Sequence, residues 1–472
     1  MLNTTKVTSQ NLPQSSNLTN PRKKKHFKVI EKTYHNNTNS DYTDQLWDLA
    51  KSFDYTSNSD HYWTNPELSL LYGTPLYEAA SPFQRLALNH LYWVANYHYI
   101  AVSEASTSIY NMVTAGVFEN LGGYEQLCRE LKFETEQESY HIRSFQKVGY
   151  KTKMTLVGKT TLGNPLSSKL YSGQFPGWLR QLVPKSLAEV MVSSKYSSTF
   201  SGYQDYVLSF IAKTMLQDKQ YYSEYLKQLE QKNQPMAAAS EGIAGQLAAR
   251  HWLKFFSLNW GISPFMACQY YSLRYTANAF LNNQEYLYYK SFQELEKKGE
   301  FIPTPTAISS YHLLDESFHT TISQTIAKEM YKELPKPTAY ERFLSGQMIY
   351  MMQKNMLGGL SGVLPGRCVP DSPLFMLFFY KLLKSPLFEM SNQETLAWMK
   401  KCFCQEHDGF HVGLKYHDRL LDTMRRFFSH LDYQWVVNRE MSVMAAGGSI
   451  SKAIQNNTKV FDQFARSIHQ SN

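Results

Sequence analysis

The chain has 472 residues, of which 43% are hydrophobic and only 19% charged, with a formal net charge of +8. That length and apolar content suit a large buried core and exclude disordered and fibrous classes. Five cysteines, an odd number in so long a chain, speak against a disulfide framework and for a reducing compartment.

Much of the positive excess lies in the first 30 residues and says little about the folded body. Residues 1–40 are rich in Asn, Thr and Ser, carry the basic run Arg22-Lys23-Lys24-Lys25, and read as a disordered tail. Met1 to Asn20 lacks the apolar core of a signal peptide, and the longest apolar run, Leu374 to Tyr380, is far too short to span a bilayer. The expectation is a soluble cytoplasmic protein with neither a membrane nor a nucleic-acid partner.

After an aromatic, Pro-containing lead-in to Pro82, apolar residues recur at helical spacing from Phe83 to about Phe118. The Gly122-Gly123 break follows, then a second helix from about Tyr124 to Val148. Residues 151–200 are punctuated by Gly and Pro and read as loop and short elements. Helical pattern returns over Tyr203–Gln231, Ser240–Leu258 and Phe265–Lys298. Thr304 then offers an N-cap with Pro305 at the first helical position, opening a helix that ends near Leu334. The rest supplies three or four further helices, separated at Gly358-Gly359, Pro365-Gly366, Pro386 and Gly447-Gly448. No strand alternation is visible, so the fold class is all-α. The divisions are a tail over 1–40, a body over 41–335 with an insertion at about 151–264, and a helical C-terminal extension over 336–472 packed on that body.

The segment from Tyr311 to His319 holds His312, Glu316 and His319 at i, i+4 and i+7, one face of a helix. Two imidazoles and a carboxylate make a poor core and a good metal-ligand row. A second Glu-x-x-His, Glu138 and His141, lies on the second long helix. Glu104 stands alone among small and apolar residues on the first, where burial is costly unless it is paired or metal-bound. Two lone Glu residues and two Glu-x-x-His pairs form the ligand set of a four-helix diiron carboxylate bundle. Glu285, on the helix preceding His312, is the preferred second lone Glu, with Glu241 and Glu224 as rivals. Glu134, one turn before Glu138, reads as a supporting or surface acid.

This combination resembles the p-aminobenzoate N-oxygenase (AurF-like) family of ferritin-like diiron enzymes over about residues 83–335. The resemblance implies Glu104, Glu138, His141, Glu285, His312, Glu316 and His319 as metal ligands, with His312 as an additional imidazole donor. It also implies that Asp315 hydrogen-bonds a ligating His from the other Glu-x-x-His helix and fixes its tautomer. The cofactors implied are two non-haem iron ions, with O2 as co-substrate. The reaction implied is oxygenation of a small organic substrate, with amine N-oxygenation favoured. A ferredoxin-type electron donor and a homodimer are the partners that fit. The alternatives are C–H hydroxylation or oxidative cleavage at the same cluster, an iron-binding ferroxidase without an organic substrate, and a scaffold without metal.

Cys402 and Cys404 with His407, His411 and His417 invite a zinc reading, but Cys-x-Cys is not the usual knuckle spacing and a structural role is favoured. Met348, Met351, Met352 and Met356 form a helical stripe that suits core, or the wall of an apolar substrate pocket. No Walker A, post-strand GxGxxG or GxSxG motif is present. Tyr97, Tyr140 and Tyr311 lie near the proposed ligands.

Overall fold

The computed structural model describes residues 25–162, 207, 210–216, 219–232, 234 and 250–470. Among these the fold is all-α, without strands. The helices are α1 (Lys25–Asn39), α2 (Thr43–Ser52), α3 (Pro75–Ala79), α4 (Pro82–Leu121), α5 (Glu125–Leu162), α6 (Glu224–Gln231), α7 (Arg250–Trp260), α8 (Pro264–Lys298) and α9 (Thr304–Lys328). The C-terminal part adds α10 (Ala339–Met352), α11 (Pro373–Lys384), α12 (Asn392–Cys404), α13 (Asp408–Phe428), α14 (Val436–Arg439), α15 (Ser442–Gly447) and α16 (Ile450–Gln470).

Two helical hairpins, α4 with α5 and α8 with α9, make the centre, with α4 along α8 and α5 against α9. Their ends follow local chemistry. At α4, Ser81 Oγ accepts from the Gln84 N–H while Gln84 Oε1 accepts from the Ser81 N–H, and Pro82 opens the first turn. At α8, Ser263 caps, Pro264 follows, and Gly299 closes the helix at φ +66°, where a side chain would be strained. The α9 start differs from the expected Thr304 cap: Thr304 is already helical, and its N–H donates to Asn58 Oδ1 at 2.7 Å. A side chain from a distant loop thus does the work expected of a local one.

The tail reading needs correction from Lys25 onward. Helix α1 buries His26, Ile30, Thr33 and Asn37 on one face and packs on α5 and α9, so the segment is ordered although its composition is polar. Residues 1–24 lie outside the described residues, as does most of the expected insertion. Helix α5 runs further than expected, to Leu162, with Gly158 at φ +71° interrupting it. The C-terminal part has five long helices and two short ones rather than three or four. The unexpected break between α12 and α13 contains no Gly or Pro; Gln405 and His407 simply turn extended.

Two large apolar clusters fill the interior. One joins the N-terminal half of α4 to α11, α12 and α16, so the C-terminal helices share the bundle's own core. The other joins the C-terminal half of α4 to the first half of α8, α10 and α13. Between them, at mid-bundle, lies a polar layer. No described helix is long and apolar enough to cross a membrane.

Candidate metal centre

The polar layer holds Glu104 from α4, Glu138 and His141 from α5, and His312, Glu316 and His319 from α9, each at most 5% exposed. Burying so many ionisable groups is costly unless they neutralise one another or a cation. Donor atoms of Glu104, His141, His312 and Glu316 all lie within 4.8 Å of one another, and so do those of Glu138, Glu316 and His319. Glu316 belongs to both groups, so the two positions adjoin.

Each imidazole is held from behind. His141 Nε2 lies 3.2 Å from Asp315 Oδ2, His319 Nε2 lies 3.0 Å from Gln137 Oε1, and His312 Nδ1 lies 2.7 Å from Glu285 Oε1. If each of those nitrogens donates, the other nitrogen is left as a lone pair facing the centre, which is how ligating histidines are commonly oriented. His312 Nε2 then faces Glu104 Oε1 at 3.0 Å, and His319 Nδ1 faces Glu316 Oε1 at 2.7 Å. The supports are themselves anchored: Asp315 Oδ1 accepts from the Tyr42 N–H at 3.2 Å, and Gln137 Nε2 donates to Asn37 Oδ1 at 3.0 Å. Helices α1 and α2 are therefore part of the centre's frame.

Helix α8 faces the centre with residues one helical turn apart. Arg274 Nη2 donates to Glu138 Oε1 at 3.3 Å while Nη1 pairs with Glu134 Oε2 at 2.5 Å. Asn278 Nδ2 donates to Glu316 Oε2 at 3.0 Å. Glu285 sits farther along, its Oε1 also accepting from Tyr97 OH at 2.5 Å.

Burial, reinforced by Glu138, pushes the Glu104 carboxyl up to about 7. Burial opposes charge on the imidazoles, yet Asp315 and Glu138 raise His141 to about 9, and Glu316 with Glu134 raises His319 to about 10. Burial opposes ionisation of Glu316 too, but His319 and His312 hold it well below the usual carboxylate range. Such a cluster keeps protons on its imidazoles, and a divalent cation would take their place. Oε2 of Glu104, Glu138 and Glu285 and Nδ1 of His141 are buried without a hydrogen-bond partner among the described residues. Buried polar atoms rarely stay unsatisfied, and mixed carboxylate and imidazole donors suit iron. The residues fit the metal.

Six of the seven ligands expected from sequence converge. Glu285 is in neither group; its Oε1 accepts from Tyr97 and lies 2.7 Å from His312 Nδ1, and its Oε2 is left without a partner among the described residues. Its rival Glu224 opens α6 beside Gly116, about 18 Å along α4 from Glu104; Glu241 lies outside the described residues. Glu134 is buried and paired with Arg274. Asp315 occupies the orienting position expected of it. Gln137 was missed, although Gln137-Glu138 and Asp315-Glu316 stand at matching places in the two Glu-x-x-His motifs. Arg274, Asn278 and Asn37 carried no local signal. His407 Nε2 donates to the Cys402 carbonyl at 2.7 Å, exposed His411 pairs with Glu406, and no metal-binding group forms there among the described residues. All five cysteines are free thiols.

The wall of this layer opens on a pocket that Glu104, Glu138 and Glu316 line from one side. Most of the remaining lining is apolar, including Ile100, Leu273, Leu281, Met352 and Leu364.

No curated protein and no solved structure matches the chain. A family model described as acyl halogenase CylC-like matches residues 25–465. This match overturns the N-oxygenase assignment, for it is a different family and its described reaction is halogenation. The residues behind that resemblance could hold a metal ion, which leaves the substrate and the reaction open. The match also takes in α1, α2 and the C-terminal helices, which that resemblance left out. The chain belongs to the CylC-like acyl halogenase family, and is thereby an enzyme of iron-dependent oxidative catalysis on an organic substrate.

Proposed function

We propose that this enzyme places a halogen on the carbon chain of an acyl substrate, using two iron ions held side by side in the polar layer. Glu104, His141, His312 and Glu316 would hold one ion, and Glu138, Glu316 and His319 the other. Iron bound there would supply the O2-dependent oxidation by which halide replaces hydrogen on carbon.

The observation that carries this reading is the apolar cavity against Glu104, Glu138 and Glu316. An acyl chain entering it gains roughly 25 cal/mol for each Å² of apolar surface removed from water. It also displaces water from the carboxylates, which strengthens the electrostatics of the layer. Arg274 and Asn278 keep Glu138 and Glu316 aimed while the chain is bound, and Asp315, Gln137 and Glu285 keep the three imidazoles turned inward. A ferroxidase without an organic substrate has no use for such a cavity.

The test is product mass spectrometry with iron-loaded enzyme, a reductant, O2, bromide and a set of acyl thioesters and free acids. A product carrying bromine in place of hydrogen is the expected result. Products that carry only added oxygen at every bromide concentration would overturn the reading.

A further inference from the structure

A second cavity adjoins the first. Ser103, Thr107, Leu273, Ala277, Met352 and Met356 line both, so the two share a wall between α4, α8 and the end of α10. Beyond that wall the second cavity is bounded by aromatic and thioether side chains, among them Phe256, Trp260, Tyr270 and Met348. Two of its polar side chains are occupied. Tyr270 OH donates to Thr107 Oγ1 at 3.0 Å, and the Arg274 charge is taken by Glu134 and Glu138.

The shape of the wall depends on a local irregularity. Helix α10 passes into a widened π-type turn over Gln353–Leu357. Met348, Met352 and Met356 stand at i, i+4 and i+8, which helical winding keeps near one face, and the wider turn falls where the last of them meets both cavities. Such turns are frequent at functional sites. The methionine stripe is thus pocket lining, and flexible thioethers suit a wall that must yield to a chain.

We propose that the second cavity receives the distal end of the substrate's acyl chain, with Ala277 as the gate residue that sets how long a chain the enzyme accepts. This rests on the reading of the first cavity as the acyl site. The polar head belongs on the side of the first cavity that the second does not share, where Arg367 stands 5.8 Å from the Tyr99 ring and 5.1 Å from the Phe375 ring. A chain too short to cross the shared wall leaves the second cavity unfilled and forfeits that burial. A longer one gains it, because an apolar pocket discriminates by the methylenes it covers.

Metal-free protein suffices for the test, which uses fluorescence quenching by fatty acids brominated at the terminal carbon. The 14-carbon acid should quench Trp260, with the quench lost in Trp260→Phe, whereas the 6-carbon acid should bind without quenching it. In Ala277→Phe, binding of the 14-carbon acid should weaken by about tenfold or more while the 6-carbon acid binds as in wild type, which also shows that the variant is folded. Met356→Ala should shift the preference toward longer chains. Equal weakening of both acids in Ala277→Phe, or an unchanged quench in Trp260→Phe, would overturn the gate while leaving the first cavity as the acyl site. Failure of both acids to bind wild type would overturn the gate and the acyl reading together.

Discussion

Gln137 on α5 supports Nε2 of His319 on α9 at 3.0 Å, and Asp315 on α9 supports Nε2 of His141 on α5 at 3.2 Å. Each Glu-x-x-His helix therefore orients the histidine of the other through the residue just before its glutamate. Loss of such an outer partner typically costs 10–100-fold in metal affinity. Gln137→Leu and Asp315→Leu should each weaken iron binding by about that factor without removing a ligand. Titration of the two variants with ferrous iron, beside His319→Ala, checks this. Wild-type affinity in both would show that the reciprocal supports do not matter.

Glu285 separates a ligand from a support. With its oxygen given to His312 and Tyr97, Glu285→Gln should retain two irons at reduced affinity, because an amide oxygen still accepts from His312 Nδ1. Glu316→Ala should lose both, since that carboxylate belongs to both groups. Iron content after gel filtration distinguishes them. Loss of one iron in Glu285→Gln would make Glu285 a direct ligand after all.

What could be read from sequence, and what could not, follows the range of the interactions. The Glu-x-x-His pairs and the row from His312 to His319 are encoded within one helix, where periodicity alone puts the side chains on one face. Glu104 was legible because an isolated acid in an apolar helix needs a reason. The support of Asn37 for Gln137 joins residues 100 apart in the chain, and Tyr42 reaches Asp315 across 273. No local pattern announces such contacts, and α1 was accordingly taken for tail. The family assignment failed for a related reason. Metal ligands report the centre, while the adjoining pocket draws Leu364 and Arg367 from a C-terminal segment without a motif, and the methionine stripe that includes Met352 suits core as well as pocket wall.

Arg274 and Glu134 form an ion pair at 2.5 Å with almost no exposure of either side chain. Removing one partner of such a pair leaves an uncompensated buried charge and costs about 3–5 kcal/mol. Arg274→Met should lower stability by about that amount in urea unfolding, and Arg274→Met with Glu134→Leu should recover much of it. A single variant as stable as wild type would contradict the pairing.

His90 gives a pH dependence away from the centre. Burial holds its imidazole down to about 4 from an ordinary 6.5; Nδ1 lies 2.9 Å from Tyr55 OH and Nε2 lies 2.8 Å from the His61 carbonyl. A depressed histidine favours the folded state fully above the unfolded value of 6.5, and that contribution is lost as pH falls toward 4. His90→Gln, which can keep both hydrogen bonds and does not titrate, should show a shallower fall in melting temperature between those values. The fall should not vanish, because burial also holds His98 down to about 4. An identical slope in wild type and variant would show that His90 does not titrate as described.

In the proposed centre two adjacent iron positions share Glu316. Anomalous scattering at the iron edge from crystals of iron-loaded protein tests it most directly. Two peaks should appear in the polar layer, one among Glu104, His141, His312 and Glu316 and one among Glu138, Glu316 and His319. A single peak, or two peaks that Glu316 does not touch, would contradict it.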